Sequence, residues 1–361
     1  MANIGIACGG TGGHLYPGLA VAEALAAMGH ATRLYVSSKE IDRVILAGYP
    51  QFASVTLPVI GWPGLGLRTL AFGKKFWDAC RLAGRELREQ QLDAVLGMGG
   101  FTSAPLILSG ARRGVPVLLH ESNAVPGRVT RLLAKNARAV LLGFAECAKR
   151  LPGAATKHTG TPVRATLRRL DRQRMAEWWG LDAGKFTVAI IGGSQGARGL
   201  NRMMIQAMAE WRQWRDEVQF IHLTGPAEDD LLAINYRRNG FRAATRPYCG
   251  EMEKLYSLAD LVVARAGAAS LTEIGWFGLP SVLVPYPAAA GDHQTRNARI
   301  FITAGAALMV REGKDDWQRL AAAVSELRCD HESRASMAAR AATLTVRDAA
   351  RRVAEEVQNA L

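Results

Sequence analysis

Residues 3–20 read Asn3-Ile4-Gly5-Ile6-Ala7-Cys8-Gly9-Gly10-Thr11-Gly12-Gly13-His14-Leu15-Tyr16-Pro17-Gly18-Leu19-Ala20. A short apolar run ends in glycines at 9, 10, 12 and 13 and passes into a stretch with helical spacing of Leu and Ala. That order, strand then glycine turn then helix, is the opening unit of a doubly wound sheet. Glycine is needed because such turns use positive φ and because a backbone approaching a phosphate closely has no room for a Cβ. The helix that follows presents unpaired N–H groups and the positive end of its dipole, which favours a diphosphate.

The same pattern returns 183 positions later. Gly192-Gly193-Ser194-Gln195-Gly196 follows the apolar run 187–191, and a weaker relative, Gly97-Met98-Gly99-Gly100, follows 94–96. Further strands are expected at 32–36, 115–119, 139–142, 219–223, 261–264 and 281–284, alternating with helical patterns. Apolar strands separated by helices form parallel sheets covered on both faces. The expected fold is therefore α/β, with two Rossmann-like doubly wound domains facing a cleft and a glycine turn after the first strand of each. The Thr159-Gly160-Thr161-Pro162-Val163 segment marks the boundary, giving domains at 1–163 and 164–345, with a helical run starting at 164 and continuing to 179. The tail 346–361 carries a helical stripe, Val346, Ala350, Val353 and Val357, that must pack against another element.

Composition agrees with this. The chain has 361 residues, 49% hydrophobic and 21% charged, enough for two cored domains and too apolar for disorder. Its formal charge of +13 is uneven: residues 1–163 hold 18 basic and 9 acidic side chains. A basic half seeks an anionic partner or serves solubility. Five scattered cysteines without a CxxC argue against a disulfide framework or zinc cluster and suit a reducing compartment. The first residues lack the basic and apolar pattern of a secretory leader. Neither main glycine turn fits G-x-G-x-x-G or the P-loop, which weighs against a nicotinamide oxidoreductase. Nucleic acid is not expected as a partner, because no recognised binding module accompanies the charge.

His14 closes the first glycine turn. Its ordinary pKa near 6.5 suits a general base at neutral pH, although a histidine there can equally cap the helix or bind phosphate passively. Ser194 can offer a phosphate its hydroxyl and N–H, or cap the helix that follows. Glu273 stands three residues after Ser270, the spacing of a capping box. No D-x-D triplet occurs, so no metal-chelated diphosphate and no essential divalent ion or other cofactor is expected. Between Arg68 and Arg88 six basic and two acidic residues interleave with Leu70, Phe72, Phe76 and Trp77. Such a segment either lies in an anionic membrane interface or is a core-packing helix with a solvated basic face.

Several stretches, taken in order, strongly resemble the MurG family of bacterial glycosyltransferases. They are residues 9–20, His120-Glu121-Ser122-Asn123, Thr159 to Arg164, Gly192 to Ala197, Arg265-Ala266-Gly267-Ala268 with Glu273, and Asp292-His293-Gln294. The resemblance implies a GT-B fold whose C-terminal helix, within 346–361, packs back on the first domain. It also implies inverting transfer of N-acetylglucosamine from UDP-N-acetylglucosamine to the N-acetylmuramoyl 4-hydroxyl of lipid I. The product would be lipid II, made at the cytoplasmic face of the cell membrane. On this resemblance the donor contacts are Thr11, Gly12, Gly13, Asn123, Arg164, Ser194, Cys249, residues Ala268, Ala269, Ser270, Leu271, Thr272 and Glu273, and Gln294. Glu273 would take the ribose hydroxyls, Cys249 the uracil through its backbone, and Gln294 the sugar hydroxyls. The acceptor contacts are His14, His120 and Asn123; the catalytic candidates are His14 and Glu121, with His120 a further rival as base. Phe72, Phe76 and Trp77 would meet an anionic membrane, and other cell-wall synthesis proteins are further candidate partners. The neighbouring alternatives are another GT-B transferase, a UDP-N-acetylglucosamine 2-epimerase, or a non-catalytic membrane scaffold.

Overall fold

The computed structural model describes residues 1–59, 68–193 and 196–361, apart from the side chains of Arg68 and Leu70. The chain divides into two compact units. Unit 1 comprises Met1–Ala165 and Val346–Leu361, and unit 2 comprises Thr166–Thr345.

Unit 1 runs β1 (Asn3–Ala7), α1 (Gly12–Ala27), β2 (Ala31–Val36), α2 (Glu40–Leu46), β3 (Ala53–Thr56), α3 (Arg68–Glu89), β4 (Ala94–Gly97), α4 (Gly100–Arg112), β5 (Val117–Glu121), α5 (Arg128–Leu133), β6 (Ala139–Leu142) and β7 (Thr156–His158). Unit 2 runs α6 (Arg172–Trp179), β8 (Phe186–Ile191), α7 (Arg198–Ala207), β9 (Val218–Leu223), α8 (Asp229–Arg238), β10 (Arg242–Arg246), α9 (Met252–Tyr256), β11 (Leu261–Ala264), α10 (Ala268–Phe277), β12 (Ser281–Leu283), α11 (His293–Thr303), β13 (Leu308–Met309), α12 (Asp316–Cys329) and α13 (His331–Thr343). The chain then returns to unit 1 as α14 (Ala349–Gln358).

The first sheet has strand order β3-β2-β1-β4-β5-β6-β7 and the second β10-β9-β8-β11-β12-β13. Every pairing is parallel; Ile6 sits between Leu34 and Leu96, and Ile190 between His222 and Val263. In both sheets the order reverses beside the first strand, between β1 and β4 and between β8 and β11. The loops leaving those strand pairs diverge to opposite faces, which opens a crevice at the carboxyl edge. The glycine turns after β1, β4 and β8, and the Arg265-Ala266-Gly267 loop after β11, all lie at these reversal points.

The strands are apolar on both faces because helices cover both. In unit 1 one cluster joins Ile4, Ile6, Leu15, Leu19 and Leu34, and α14 inserts Val353, Ala354 and Val357 into it, all fully buried. Each buried valine is worth roughly 1.5–3 kcal/mol relative to exposure. Lys157 pairs with Glu356 at 2.6 Å, and Arg138 donates to the Ala360 carbonyl at 2.6 Å. Unit 2 has a core of its own around Phe220, Trp211, Tyr236 and Val263.

Two expectations need correction. Arg164 and Ala165 belong to unit 1, where the Arg164 guanidinium stacks over the Tyr16 ring of α1 at 4.2 Å. The helix expected from residue 164 begins only at Arg172, where Asp171 caps it by accepting from the Arg174 N–H at 2.9 Å.

α1 lies close on the end of β1 because Gly18 has no side chain. A Cβ there would fall 2.4 Å from Cys8 Cβ and 2.8 Å from its Sγ. Gly18→Ala should therefore cost about 1–3 kcal/mol, as overpacking of a dense core does. Urea unfolding checks this, and an unchanged midpoint would contradict the packing described.

Candidate active site

In unit 1 the turn after β1 positions His14. Thr11 is the N-cap of α1, its extended backbone receiving the His14 and Leu15 N–H groups at 3.1 and 3.0 Å. Thr11 Oγ1 lies 3.1 Å from His14 Nδ1. The first-turn N–H groups of Gly12 and Gly13 have no acceptor among the described residues, as expected at a helix start, an arrangement that suits an anion. The second glycine turn makes room for the imidazole. Gly99 and Gly100 have φ of +98° and +71°, and a Cβ at Gly99 would stand 3.2 Å from His14 Nε2. The ring therefore rests on bare backbone where α4 begins. Thr11 and Gly13 are exposed and His14 is half-buried.

His120 and Glu121 are placed differently from the expectation. They lie on β5, which starts at Val117, two residues later than expected, because Pro116 has no N–H to give the ladder. His120 is 0% exposed; its Nε2 meets the Gly160 carbonyl at 3.0 Å and its Nδ1 meets Ser122 Oγ at 3.4 Å. Burial pulls its pKa below the usual histidine value, which favours the neutral ring. Glu121 is 5% exposed and its two oxygens accept four hydrogen bonds. Oε1 takes the Asn123 backbone N–H (3.1 Å) and Nδ2 (3.0 Å); Oε2 takes the Gly127 N–H and Thr130 Oγ1, both at 2.8 Å. The lone pairs a base would need are taken up in holding the 121–130 connection. Asn123, half-buried, is oriented by that same carboxylate.

In unit 2 the turn after β8 folds tightly on its neighbours. Gly193 and Gly196 have φ of +90° and +74°, and a Cβ at Gly196 would fall 2.7 Å from Gly225 Cα. Ser194 lies outside the described residues; the N-cap of α7 is Ala197. Beneath the turn runs a buried polar chain. Asn201 donates to the Thr224 carbonyl at 2.8 Å, and its Oδ1 lies 3.1 Å from His222 Nε2. His222 Nδ1 lies 3.0 Å from Tyr236 Oη. Burial pulls the His222 pKa down to about 3, so it is a neutral link.

The start of α10 is a second helix start of this kind. Gly267 is its N-cap, and the N–H groups of Ala268, Ala269 and Ser270 have no acceptor among the described residues. The side chains of Leu271 and Thr272 point away from solvent; Leu271 is fully buried and Thr272 Oγ1 donates to the Ala268 carbonyl at 2.9 Å. Ser270 is not a cap, so the capping-box reading of Glu273 fails. Glu273 instead accepts from Tyr256 Oη at 3.0 Å and is half-buried. Gln294 holds three segments together: its Oε1 accepts the Ala266 N–H at 3.2 Å and the Tyr286 N–H at 2.9 Å. Only its amide N–H groups remain to donate. Asn297, buried, donates to the Ala266 carbonyl at 3.1 Å. The Arg265 guanidinium pairs with Glu312 and donates to the Val284 carbonyl at 3.0 Å. The Cys249 side chain is buried. Among the described residues no three His, Cys, Asp or Glu side chains form a metal-holding group.

Two Rossmann-like parallel-sheet units with glycine-rich turns at both reversal points are the architecture of the GT-B glycosyltransferases. Residues 4–142 match the glycosyltransferase family 28 N-terminal domain and residues 187–353 its C-terminal domain. The chain belongs to the MurG family, the UDP-N-acetylglucosamine–N-acetylmuramyl-(pentapeptide) pyrophosphoryl-undecaprenol N-acetylglucosamine transferases. One relative, from Prochlorococcus marinus, is 38% identical over 91% of this chain and 87% of its own length. Another, from Myxococcus xanthus, is 34% identical over 98% and 92%. The crystal structure of Acinetobacter baumannii MurG superposes with a TM-score of 0.76 at 26% identity, covering 99% of each chain.

The sequence reading missed Asp42 and Glu312, which hold the turns from outside. It also missed the contact of His14 with Gly99 and Gly100, for which the third glycine turn was the available signal.

His222 gives a pH test. It stays neutral in the folded chain and protonates near 6.5 once unfolded. Its contribution to stability is complete above pH 6.5 and is lost as pH falls from there toward 3, by at most about 1.4 kcal/mol per pH unit. Histidine-labelled NMR should show the His222 imidazole still neutral at pH 5. If the His222 resonance titrates near 6.5, the buried chain is wrongly described.

Proposed function

We propose that this chain transfers N-acetylglucosamine from UDP-N-acetylglucosamine to the N-acetylmuramoyl 4-hydroxyl of lipid I, giving lipid II. The observation that carries this is the pair of helix starts with open N–H groups, one at α1 beside a histidine and one at α10 in the other unit, in a chain of this family. The acceptor hydroxyl attacks the anomeric carbon while the bond from that carbon to the UDP oxygen breaks. The hydroxyl proton passes to His14, and configuration inverts from α in the donor to β-1,4 in the product. The departing diphosphate is held by the N–H groups of Ala268, Ala269 and Ser270 and by the α10 dipole. Arg164 and the Gly12–Gly13 N–H groups give unit 1 a positive potential of its own. Glu273 accepts from the ribose hydroxyls, and the Gln294 amide donates to the sugar. Ser194 keeps its role toward the phosphates, and Cys249 toward uracil through its backbone. Glu121 and His120 are given a holding role, not proton transfer. The chemistry is written without a divalent ion.

A membrane surface completes the reading, since the acceptor is lipid-linked. Among the described residues no helix is long and apolar enough to cross a bilayer. α3 supplies the candidate contact on a cytoplasmic, peripheral protein. Trp77 is 61% exposed, whereas Phe72 and Phe76 stack together at 5.9 Å and are half-buried. Beside them α3 and α4 enclose a cavity of about 500 Å3 lined by Trp77, Arg81, Arg85, Arg88, Arg112 and Arg113. An aromatic rim over guanidinium groups suits an anionic headgroup layer.

With a short-chain lipid I analogue and labelled donor, the product is expected to be a disaccharide lipid, formed equally in EDTA. His14→Ala should keep UDP binding and lower kcat at least tenfold, the low end for loss of an acid–base group. Unchanged kcat would sink the base assignment, and conversion of the donor to its manno isomer without acceptor would replace transfer by epimerisation. In liposome flotation, Trp77→Ala should weaken binding to anionic vesicles severalfold; equal, negligible binding to anionic and neutral vesicles would remove the membrane reading.

A further inference from the structure

Asp42 lies on the inward face of α2 and is 0% exposed. Its Oδ2 accepts the Gly10 N–H at 2.8 Å, the Ser37 N–H at 2.9 Å and the Ser37 hydroxyl at 2.6 Å. Its Oδ1 is buried and has no hydrogen-bond partner among the described residues. A buried carboxylate with one oxygen unsatisfied is costly, and a well-packed apolar residue would serve the core better. The carboxylate must therefore do something at its satisfied end.

That end is the pivot of the first glycine turn. Gly9 lies so close to the β2–α2 connection that a Cβ would fall 2.2 Å from the Ser37 nitrogen and 2.7 Å from Asp42 Oδ2. Gly10 takes φ of +108°, and its carbonyl accepts from Lys39 Nζ at 2.7 Å. The Gly10 residue is thus gripped on its N–H by Asp42 and on its C=O by Lys39. Thr11 follows directly as the N-cap, and His14 stands three residues beyond it on the first turn of α1. Where α1 starts, and hence where the imidazole rests on Gly99 and Gly100, depends on the conformation of Gly10.

We infer that Asp42 is a positioning residue for His14, with Lys39 as its counterpart on the opposite side of the Gly10 backbone. The inference rests on the reading of His14 as the base. Asp42→Asn preserves size, but an amide oxygen accepts less strongly than a carboxylate and the new NH2 group faces donors. A base displaced by about 1 Å loses up to roughly 100-fold in rate.

The test measures kcat and both KM values with UDP-N-acetylglucosamine and a soluble lipid I analogue, with UDP affinity and the unfolding midpoint as controls. Asp42→Asn should lower kcat roughly 10- to 100-fold and raise donor KM by a smaller factor, because the Gly12–Gly13 N–H groups lie on the same turn whereas those of Ala268, Ala269 and Ser270 belong to unit 2. Lys39 is exposed, so Lys39→Met folds normally and should lower kcat by a smaller factor. In a His14→Ala background, Asp42→Asn should have no further effect on kcat, the non-additivity of residues acting through one group. Wild-type kcat in both single variants overturns the inference, as does full additivity with His14→Ala. If His14→Ala itself leaves kcat unchanged, the base assignment fails first; if it lowers kcat and Asp42→Asn does not, only the positioning role fails.

Discussion

Main chain can pack as closely on its neighbours as these turns do only where no Cβ intervenes, and the glycine turns of this chain depend on that constraint. At Gly9 and Gly10 in unit 1, and at Gly193 and Gly196 in unit 2, the chain turns with a positive φ or against neighbouring main chain that a methyl would strike. The turns then deliver helix starts whose first N–H groups have no acceptor among the described residues. Each such helix end favours an anion by about 0.3–1 kcal/mol when exposed and up to ~2 kcal/mol when partly buried. Several converging N–H groups, shielded from water, give a leaving diphosphate more than any one of them.

Around these bare turns stand polar residues that resemble catalytic groups by type and act as supports by geometry. Glu121 accepts four hydrogen bonds, His120 and His222 are buried and neutral, and Gln294 joins two loops to α11. Their common position is the carboxyl end of the strands or the first turn of the following helix, where a loop must be fixed before it can bind anything. His14 differs from them. It is half-buried rather than enclosed, and its ring lies on glycine backbone rather than within a closed polar chain.

The central strands were legible because burial on both faces leaves an unbroken apolar run. The strands at the sheet edges were not: β3, β7, β10 and β13 went unrecognised, and they close the two sheets at either end. β7 and β10, Thr156-Lys157-His158 and Arg242 to Arg246, carry polar side chains because one flank meets no neighbouring strand, and β13 is only two residues long. The helix expected at residue 164 failed for a related reason. Residues 164–171, Arg164-Ala165-Thr166-Leu167-Arg168-Arg169-Leu170-Asp171, offer no N-cap side chain that starts a helix until Asp171, and the chain there is changing units. Site residues within contiguous motifs could be named from sequence alone. Supports such as Asp42 and Glu312 could not, since an acidic residue on a short helix or loop has no local mark of burial; only tertiary contacts reveal it.

The central claim is that the turns after β8 and β11 hold the diphosphate of a uridine nucleotide. A crystal structure with UDP bound tests it most directly. The account expects the β-phosphate against the N–H groups of Ala268, Ala269 and Ser270, with the ribose within hydrogen-bonding distance of Glu273. A nucleotide lodged elsewhere in unit 2, or held only by side chains far from these turns, would contradict it.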